Sequence, residues 1–270
     1  MALLIAQISD FHVTPPGTLA YGCVDTGAAL AAAVAAINTL PRLPDLVIGT
    51  GDLTQSGSEE EYSALQAILA ELKPAFLPVL GNHDRRSGLR RAFPEIDRAI
   101  GDQKTIQYVH DLEDQRIIVL DTVQEGGDDP DYPTDRAAWL RQALRTDQRV
   151  LIAMHHPPFP CGVAWLEPTN ADWSDPIGDA VETSSQVDRV ICGHVHRGLH
   201  RLWRGVFASA APSTAHQVYF DLNADAPPAL ALEAPGFQIH DWSPGAVTTY
   251  SLAINGLSNR FIPRSSGVDQ

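Results

Sequence analysis

Apolar positions fall into two rhythms along this chain. Through the first half, short runs that are apolar throughout alternate with longer stretches of helical period. "LLIAQI", "DLVIGT" and "AFLPVL" read as strands covered on both faces. Between them, "DTGAALAAAVAAINTL" reads as a helix with Asp25 as its N-cap. "SEEEYSALQAILAEL" reads as a helix opened by a capping box of Ser58 and Glu61, and the segment after Asp84 as helical up to Phe93. In the second half, "YVHDL" and "RIIVLD" predict an antiparallel pair, "TDRAAWLRQAL" a helix, and "RVLIAMHH" and "DRVICGH" two more strands. From Leu199 onward, "LHRLW", "GVFASA", "HQVYFDL", "ALALEA", "FQIHDW" and "AVTTYSLAI" read as strands in a meander. The sum is an α/β chain with two sheets and helices outside them. The long irregular segments are "QEGGDDPDYP" and "CGVAWLEPTNADWSDP".

Composition narrows the function classes. With 270 residues and 44% apolar content the chain can bury a large core. Its formal net charge of −14 repels polyanions, and "DRRSGLRRAF" is the densest basic stretch, so no nucleic-acid polymer is expected as a partner. Three scattered cysteines, Cys23, Cys161 and Cys192, form neither a metal motif nor a disulfide framework, which fits a reducing, cytoplasmic setting. "MALLIAQISD" has no basic lead-in and reads as a first strand instead of a signal peptide. No apolar run approaches 18 residues, so no membrane span is expected.

The chemistry sits where strands end. Successive strands run into "SDFH" with Asp10 and His12, "TGDLT" with Asp52, "LGNHD" with Asn82, His83 and Asp84, "AMHHPP" with His155 and His156, and "ICGHVH" with His194 and His196. The carboxyl ends of parallel strands share one crevice, so these side chains are expected to converge. A single one of these motifs is a common turn; five in order are a metal site. Imidazoles mixed with carboxylates and an amide, with no cysteine at the strand ends, point to a catalytic divalent pair. Asp52, alone after its strand, is the natural bridge. Two dications less two carboxylates leave about +2, or about +1 with a bridging hydroxide, which suits an anionic phosphate ester.

On these motifs the sequence resembles the calcineurin-like metallophosphoesterase superfamily, from Asp10 to His196. "LAYGCVD", "MHHPPFPCG", "CGHVHR" and "TAHQV" resemble its bacterial class III branch of glycerophosphodiesterases and cyclic-nucleotide phosphodiesterases. The resemblance implies the metallo-dependent phosphatase fold, a four-layer αββα sandwich of two mixed sheets. Residues 1–212 would form the catalytic core. Residues 213–270, with Trp242 and Tyr250, would complete a sheet or form a cap or oligomerisation appendage, and the chain would be a homo-oligomer. One ion would be held by Asp10, His12, Asp52 and His196, and the other by Asp52, Asn82, His155 and His194. The ions could be iron, manganese, zinc or cobalt. His83 would stand near the substrate as hydrogen-bond donor or general acid, and His216 would face the site as a substrate-side or proton-shuttling residue. Asp84 would orient His83 or cap the following helix. His156 would pack beside the site, and His110, His200 and His240 would be structural or on the surface. Pro130 and Asp131 could line the pocket, though nothing physical picks them out.

The expected reaction is hydrolysis of a small, glycerophosphodiester-like substrate by a metal-activated hydroxide, with no covalent intermediate. Rivals are 3′,5′-cyclic nucleotide (cAMP) hydrolysis at the same site, a nuclease, and a non-catalytic metal-binding scaffold.

Overall fold

The computed structural model describes residues 3–101, 104–124, 127 and 129–256. Strands β1 (Leu3–Ile8), β2 (Leu46–Gly49) and β3 (Ala75–Pro78) form a parallel set, linked by helices α1 (Thr26–Asn38) and α2 (Glu59–Leu69). Both helices start as the sequence predicts. The Asp25 carboxylate accepts from Ala28 N at 2.9 Å, and Ser58 and Glu61 close their reciprocal box. After β3 come α3 (Arg86–Ala92) and α4 (Pro94–Ile100), then β4 (Tyr108–Asp111) antiparallel to β5 (Gln115–Val119). Helix α5 (Thr134–Ala143), β6 (Arg149–Ala153), α6 (Asp175–Glu182) and β7 (Val187–Cys192) extend this second sheet in parallel. Helices α4 and α6 were not expected. Each carries a proline in its first turn, a start signal that their short length and loop-like flanks conceal.

The alternation of side chains along the second sheet shows how the layers stack. Ile117, Val119, Leu151, Ala153 and Ile191 point into the core shared with the first sheet. Their neighbours Ile118, Leu120, Ile152 and Val190 point the other way, onto Leu140 of α5 and Ile177 and Val181 of α6. Both faces are dry, which is why these strands read as unbroken apolar runs. Helices α1, α2 and α3 pack side by side against the first sheet and α4 runs on from α3 to the edge strand β4, giving two mixed sheets between two helical layers.

The expected meander after Leu199 is corrected. β8 (Leu199–Trp203) and β9 (Val206–Ala210) form a hairpin in which β9 runs parallel beside β7. β10 (Gln217–Val218) and β11 (Leu230–Ala231) pair only with each other. β12 (Gly236–Ser243) and β13 (Ala246–Ala253) form a hairpin in the first sheet, where β12 lies antiparallel to β1. Each sheet had an open edge to cover, at β7 and at β1, and the chain supplies one and then crosses to the other. Alternation fixes which face of a strand is apolar but not which strand it joins. The final strands thus extend the first sheet. Residues 213–216 lie against the loop after β1: Ser213 Oγ donates to Asp10 O at 2.8 Å and Thr214 N to Ser9 O at 3.1 Å. No helix of the described residues is long and apolar enough to cross a membrane.

Candidate metal centre

Every strand-end residue singled out in the sequence arrives at one place. Five of them, Asp10, His12, Asp52, His194 and His196, have φ between 49° and 70°, the left-handed region that side chains bearing a Cβ seldom adopt. Such backbone strain persists only where the surroundings impose it, and it gathers at functional sites. The loops are held against one another by main-chain bonds, Asp10 N to Gly51 O at 3.1 Å and His12 N to Asp52 O at 2.9 Å. The glycines before Asp52 and Asn82 permit this contact. A Cβ on Gly51 (φ +96°) would lie 2.3 Å from His155 Nδ1, and one on Gly81 2.1 Å from Asp52 N.

Hydrogen bonds at the outer nitrogens fix the inner ones. His155 Nδ1 lies 2.8 Å from Thr50 O, and His196 Nδ1 lies 2.8 Å from His216 O. A carbonyl can only accept, so each Nδ1 carries a proton and each Nε2 is the edge left facing inward, a lone pair wherever the ring is neutral. His12 Nδ1 meets Gln55 Oε1 at 3.0 Å with the same consequence. The inner atoms then face one another as acceptors. His12 Nε2 is 3.1 Å from His196 Nε2, and His155 Nε2 is 3.0 Å from Asn82 Oδ1. Asp52 Oδ2 stands 3.5 Å from His12 Nε2 and 3.4 Å from His155 Nε2, so one oxygen serves both groups. Asp10 Oδ1 is 3.6 Å from His196 Nε2, while its buried Oδ2 has no hydrogen-bond partner among the described residues. Asp10, His12, Asp52 and His196 can place one donor atom each within 4.8 Å of the others, and so can His155, His156 and His194. Converging acceptors without donors repel unless a cation lies among them, and N/O donors of this kind suit a transition-metal dication.

The electrostatics agree. Burial drives His194 down to about 3 and His196 to about 4, and takes His12 well below its usual value, so all three are neutral imidazoles, the form that binds metal. Burial also raises Asp10 to about 7, with Asp52 adding to the shift. Burial would raise Asp52 as well, but His155 and His12 more than reverse it and hold it ionised. For His155, burial is outweighed by Asp52 and Asp10, which lift it to about 9. The cluster draws positive charge to that spot, and a proton is the smallest cation that answers.

Asp84 is the correction. The sequence offered it as an orienting group for His83 or as a helix cap, and it is neither. Its buried carboxylate accepts from Leu53 N at 3.1 Å, Thr54 N at 3.1 Å, Thr54 Oγ1 at 2.8 Å, Gly81 N at 3.0 Å and Tyr62 Oη at 3.3 Å. The position before α3 belongs to Arg85, which makes no side-chain cap. Asp84 therefore ties the loop after β2 to the loop after β3. His83 is held instead through Nδ1 to Gln55 O at 2.8 Å, and its backbone N donates to Asp52 Oδ1 at 2.9 Å.

Gln55, which sequence reasoning missed, therefore holds His12 with its side chain and His83 with its backbone. His216 is buried, 4.8 Å ring to ring from His196 and 5.2 Å from His12, and neither of its ring nitrogens has a partner among the described residues. Burial, with His196 and His83 adding to it, lowers it to about 3. His156 is buried with Nδ1 2.8 Å from Thr122 Oγ1. His240 lies away from the cluster, between the sheets.

A cavity of about 300 Å³ opens over the cluster. Pro130 lines it, Asp131 does not, and Tyr21, Asp129, Trp165 and Glu167 join from "LAYGCVD" and the two long irregular segments, where the sequence singled out none of the four by itself. A larger hollow of about 830 Å³ shares Asn82. Two of its cations are already engaged, Arg86 on Asp121 at 2.7 and 2.9 Å and Arg136 on Asp121 O at 2.9 Å, whereas the smaller cavity is the one lined by His12, Asp52, His194 and His196.

The family model for calcineurin-like phosphoesterases matches residues 3–198, which include Asp10, His12, Asp52, Asn82, His155, His194 and His196 but not His216. The chain belongs to this family. Among curated proteins, this phosphoesterase is 34% identical over 244 residues to a probable glycerophosphodiester phosphodiesterase GpdQ of Arcobacter nitrofigilis, covering 89% of each chain. It is also 34% identical to a probable cyclic nucleotide phosphodiesterase of Rhodopseudomonas palustris, over 81% of this chain and 80% of that one. Among solved structures, a dimetal phosphatase from Danio rerio superposes with a TM-score of 0.71 at 15% identity, over 93% of this chain and 96% of that one. That likeness establishes the metallo-dependent phosphatase fold.

Proposed function

We propose that this phosphoesterase is a two-metal phosphodiesterase that hydrolyses small glycerophosphodiester-like substrates. The observation that carries the reading is Asp52 Oδ2, one oxygen within 3.5 Å of imidazoles on both sides of the cluster. Asp10, His12, Asp52 and His196 would hold one ion, and Asp52, Asn82, His155 and His194 the other; iron, manganese, zinc and cobalt all suit this donor set. Bound there, the two ions would polarise a phosphoryl oxygen and make water acidic enough to ionise near neutral pH.

The chain's own residues do the rest. Asn82 contributes an uncharged oxygen, which leaves the centre positive toward an anionic ester. His216 meets the substrate neutral, with one N–H to donate to an ester oxygen and one lone pair. His83, oriented by Gln55, presents its Nε2 edge to the cavity and is placed to return a proton to the departing alcohol. The glycerophosphodiester assignment is supported by the GpdQ relative, whose similarity runs over 89% of the chain. Cyclic-nucleotide hydrolysis is the second reading, on the equal identity to the Rhodopseudomonas protein. The test is a side-by-side assay of metal-reconstituted and chelator-stripped protein on glycerophosphoethanolamine and cAMP. The expected result is chelator-sensitive turnover with kcat/KM at least about tenfold higher on the glycerophosphodiester. A preference for cAMP would transfer the assignment to the second reading, and chelator-resistant turnover would contradict both.

A further inference from the structure

Pockets that bind phosphate esters commonly place arginine or lysine against the phosphate. The cavity over this cluster has neither among its described lining residues. Beyond Asp52 in the donor cluster, its wall carries two carboxylates instead, Asp129 and Glu167, together with Tyr21 and Trp165. Both carboxylates are anchored. Glu167 Oε1 accepts from Gly162 N at 2.6 Å, and Asp129 Oδ2 accepts from the Thr169 hydroxyl. The nearby Arg197 is turned away, paired through both terminal nitrogens with Glu233 and bonded to Val218 O. A second feature marks the space as a ligand chamber: His216 is fully buried, lines the cavity, and has both ring nitrogens unpartnered among the described residues.

We propose that Asp129 and Glu167 are specificity-determining residues that sort esters by charge, accepting monoanionic and zwitterionic phosphodiesters and turning away dianionic phosphomonoesters. The inference rests on the phosphodiesterase reading but not on which alcohol the diester carries. A diester bears one negative charge and a monoester between about 1.5 and 2 at neutral pH, so a fixed carboxylate penalises the monoester more. A cavity of about 300 Å³ is roughly 8 Å across, and at an effective dielectric constant near 40 two unit charges at that separation change a binding constant about sixfold. The same repulsion acts on the product. Hydrolysis breaks one P–O bond, forms another with water, and returns a proton to the leaving alcohol. The monoester left behind is the more highly charged species and is pushed out before a second cleavage.

The experiment compares the wild-type protein with the Asp129→Asn, Glu167→Gln double variant. Both amides keep an oxygen for the Thr169 and Gly162 donors. Three substrates share one leaving group and differ in charge: p-nitrophenyl phosphate, bis(p-nitrophenyl) phosphate and p-nitrophenylphosphocholine. Binding of inorganic phosphate by calorimetry adds a readout that needs no turnover. The double variant is expected to raise the monoester-to-diester ratio of kcat/KM about tenfold, tighten phosphate binding by a similar factor, and lower the phosphocholine-to-diester ratio. All three differences should shrink in about 0.5 M salt, where charges are screened beyond a few ångströms. Each single variant should show a smaller shift in the same direction, about threefold. Ratios and phosphate affinity unchanged within twofold, or all substrates changed by one common factor, would overturn the proposal. Failure of the wild-type protein to hydrolyse any diester would instead overturn the phosphodiesterase reading, with phosphate affinity still deciding the role of the two acids.

Discussion

The loops after β2 and β3 each bring one buried aspartate to the same corner, and the two are put to opposite use. Asp84 has its oxygens filled by three backbone N–H groups and two hydroxyls. Asp52 takes one backbone N–H on Oδ1 and turns Oδ2 toward the Nε2 edges of His12 and His155, with no backbone N–H or hydroxyl to fill it among the described residues. Asp84 is raised to about 6 by burial and by Asp52, whereas His155 and His12 hold Asp52 well below the usual range. A saturated carboxylate holds loops together; one left open toward acceptors is free for a cation. Two buried histidines show the same contrast. His240 uses both nitrogens, on Thr249 Oγ1 at 2.8 Å and Gln7 Oε1 at 3.0 Å, while among the described residues His216 uses neither.

This contrast sets expectations of very different size. Asp52→Asn should lower kcat/KM on a phosphodiester by about 10³-fold or more, since it removes charge that acts at the reacting centre. In chelator, the same change should cost less than about 1 kcal/mol of stability, because the amide oxygen can still accept from His83 N. Asp84→Asn should reverse the pattern. Its amide nitrogen would face backbone donors, so urea unfolding in chelator should show a loss of about 2–4 kcal/mol. Equal stability losses in the two variants would dissolve the distinction.

The smallest effect concerns His240. Burial, aided by Arg189 and His200, lowers it to about 3 in the folded protein, while the unfolded chain protonates it near its ordinary value of about 6.5. A depressed histidine favours folding fully above pH ~6.5. That contribution is lost as pH falls toward 3, at about 1.4 kcal/mol per pH unit. Urea midpoints measured between pH 6.5 and 5 should therefore fall more steeply for the wild-type protein than for His240→Gln. Parallel slopes would mean that the buried ring does not resist protonation.

Much of the site was legible in the sequence because its histidines and carboxylates sit at the ends of apolar strands, where parallel topology brings them together whatever the loops do. The two sheets followed from unbroken apolar runs, and the first two helices from their caps. Partner choice by the late strands was not legible, since alternation in "FQIHDW" is the same whichever sheet it joins. Asp84 was visible as a notable residue but its role was not, because its partners Leu53, Thr54 and Tyr62 meet it only in the folded chain. Tyr21 lay in "LAYGCVD" without a role assigned to it, and Gln55, Trp165 and Glu167 carried no motif; their places are set by tertiary packing of loops. The left-handed backbone at Asp10, His12, Asp52, His194 and His196 was equally hidden, since none of them is glycine.

The account stands on the claim that Asp52 joins two cation sites. Metal content of the purified protein, measured by mass spectrometry after equilibration with manganese or zinc and removal of free ions, tests it directly. Two ions per chain in the wild-type protein and at most one in Asp52→Asn are expected. A wild-type protein that holds one ion or none, or an Asp52→Asn variant that still holds two, would contradict it.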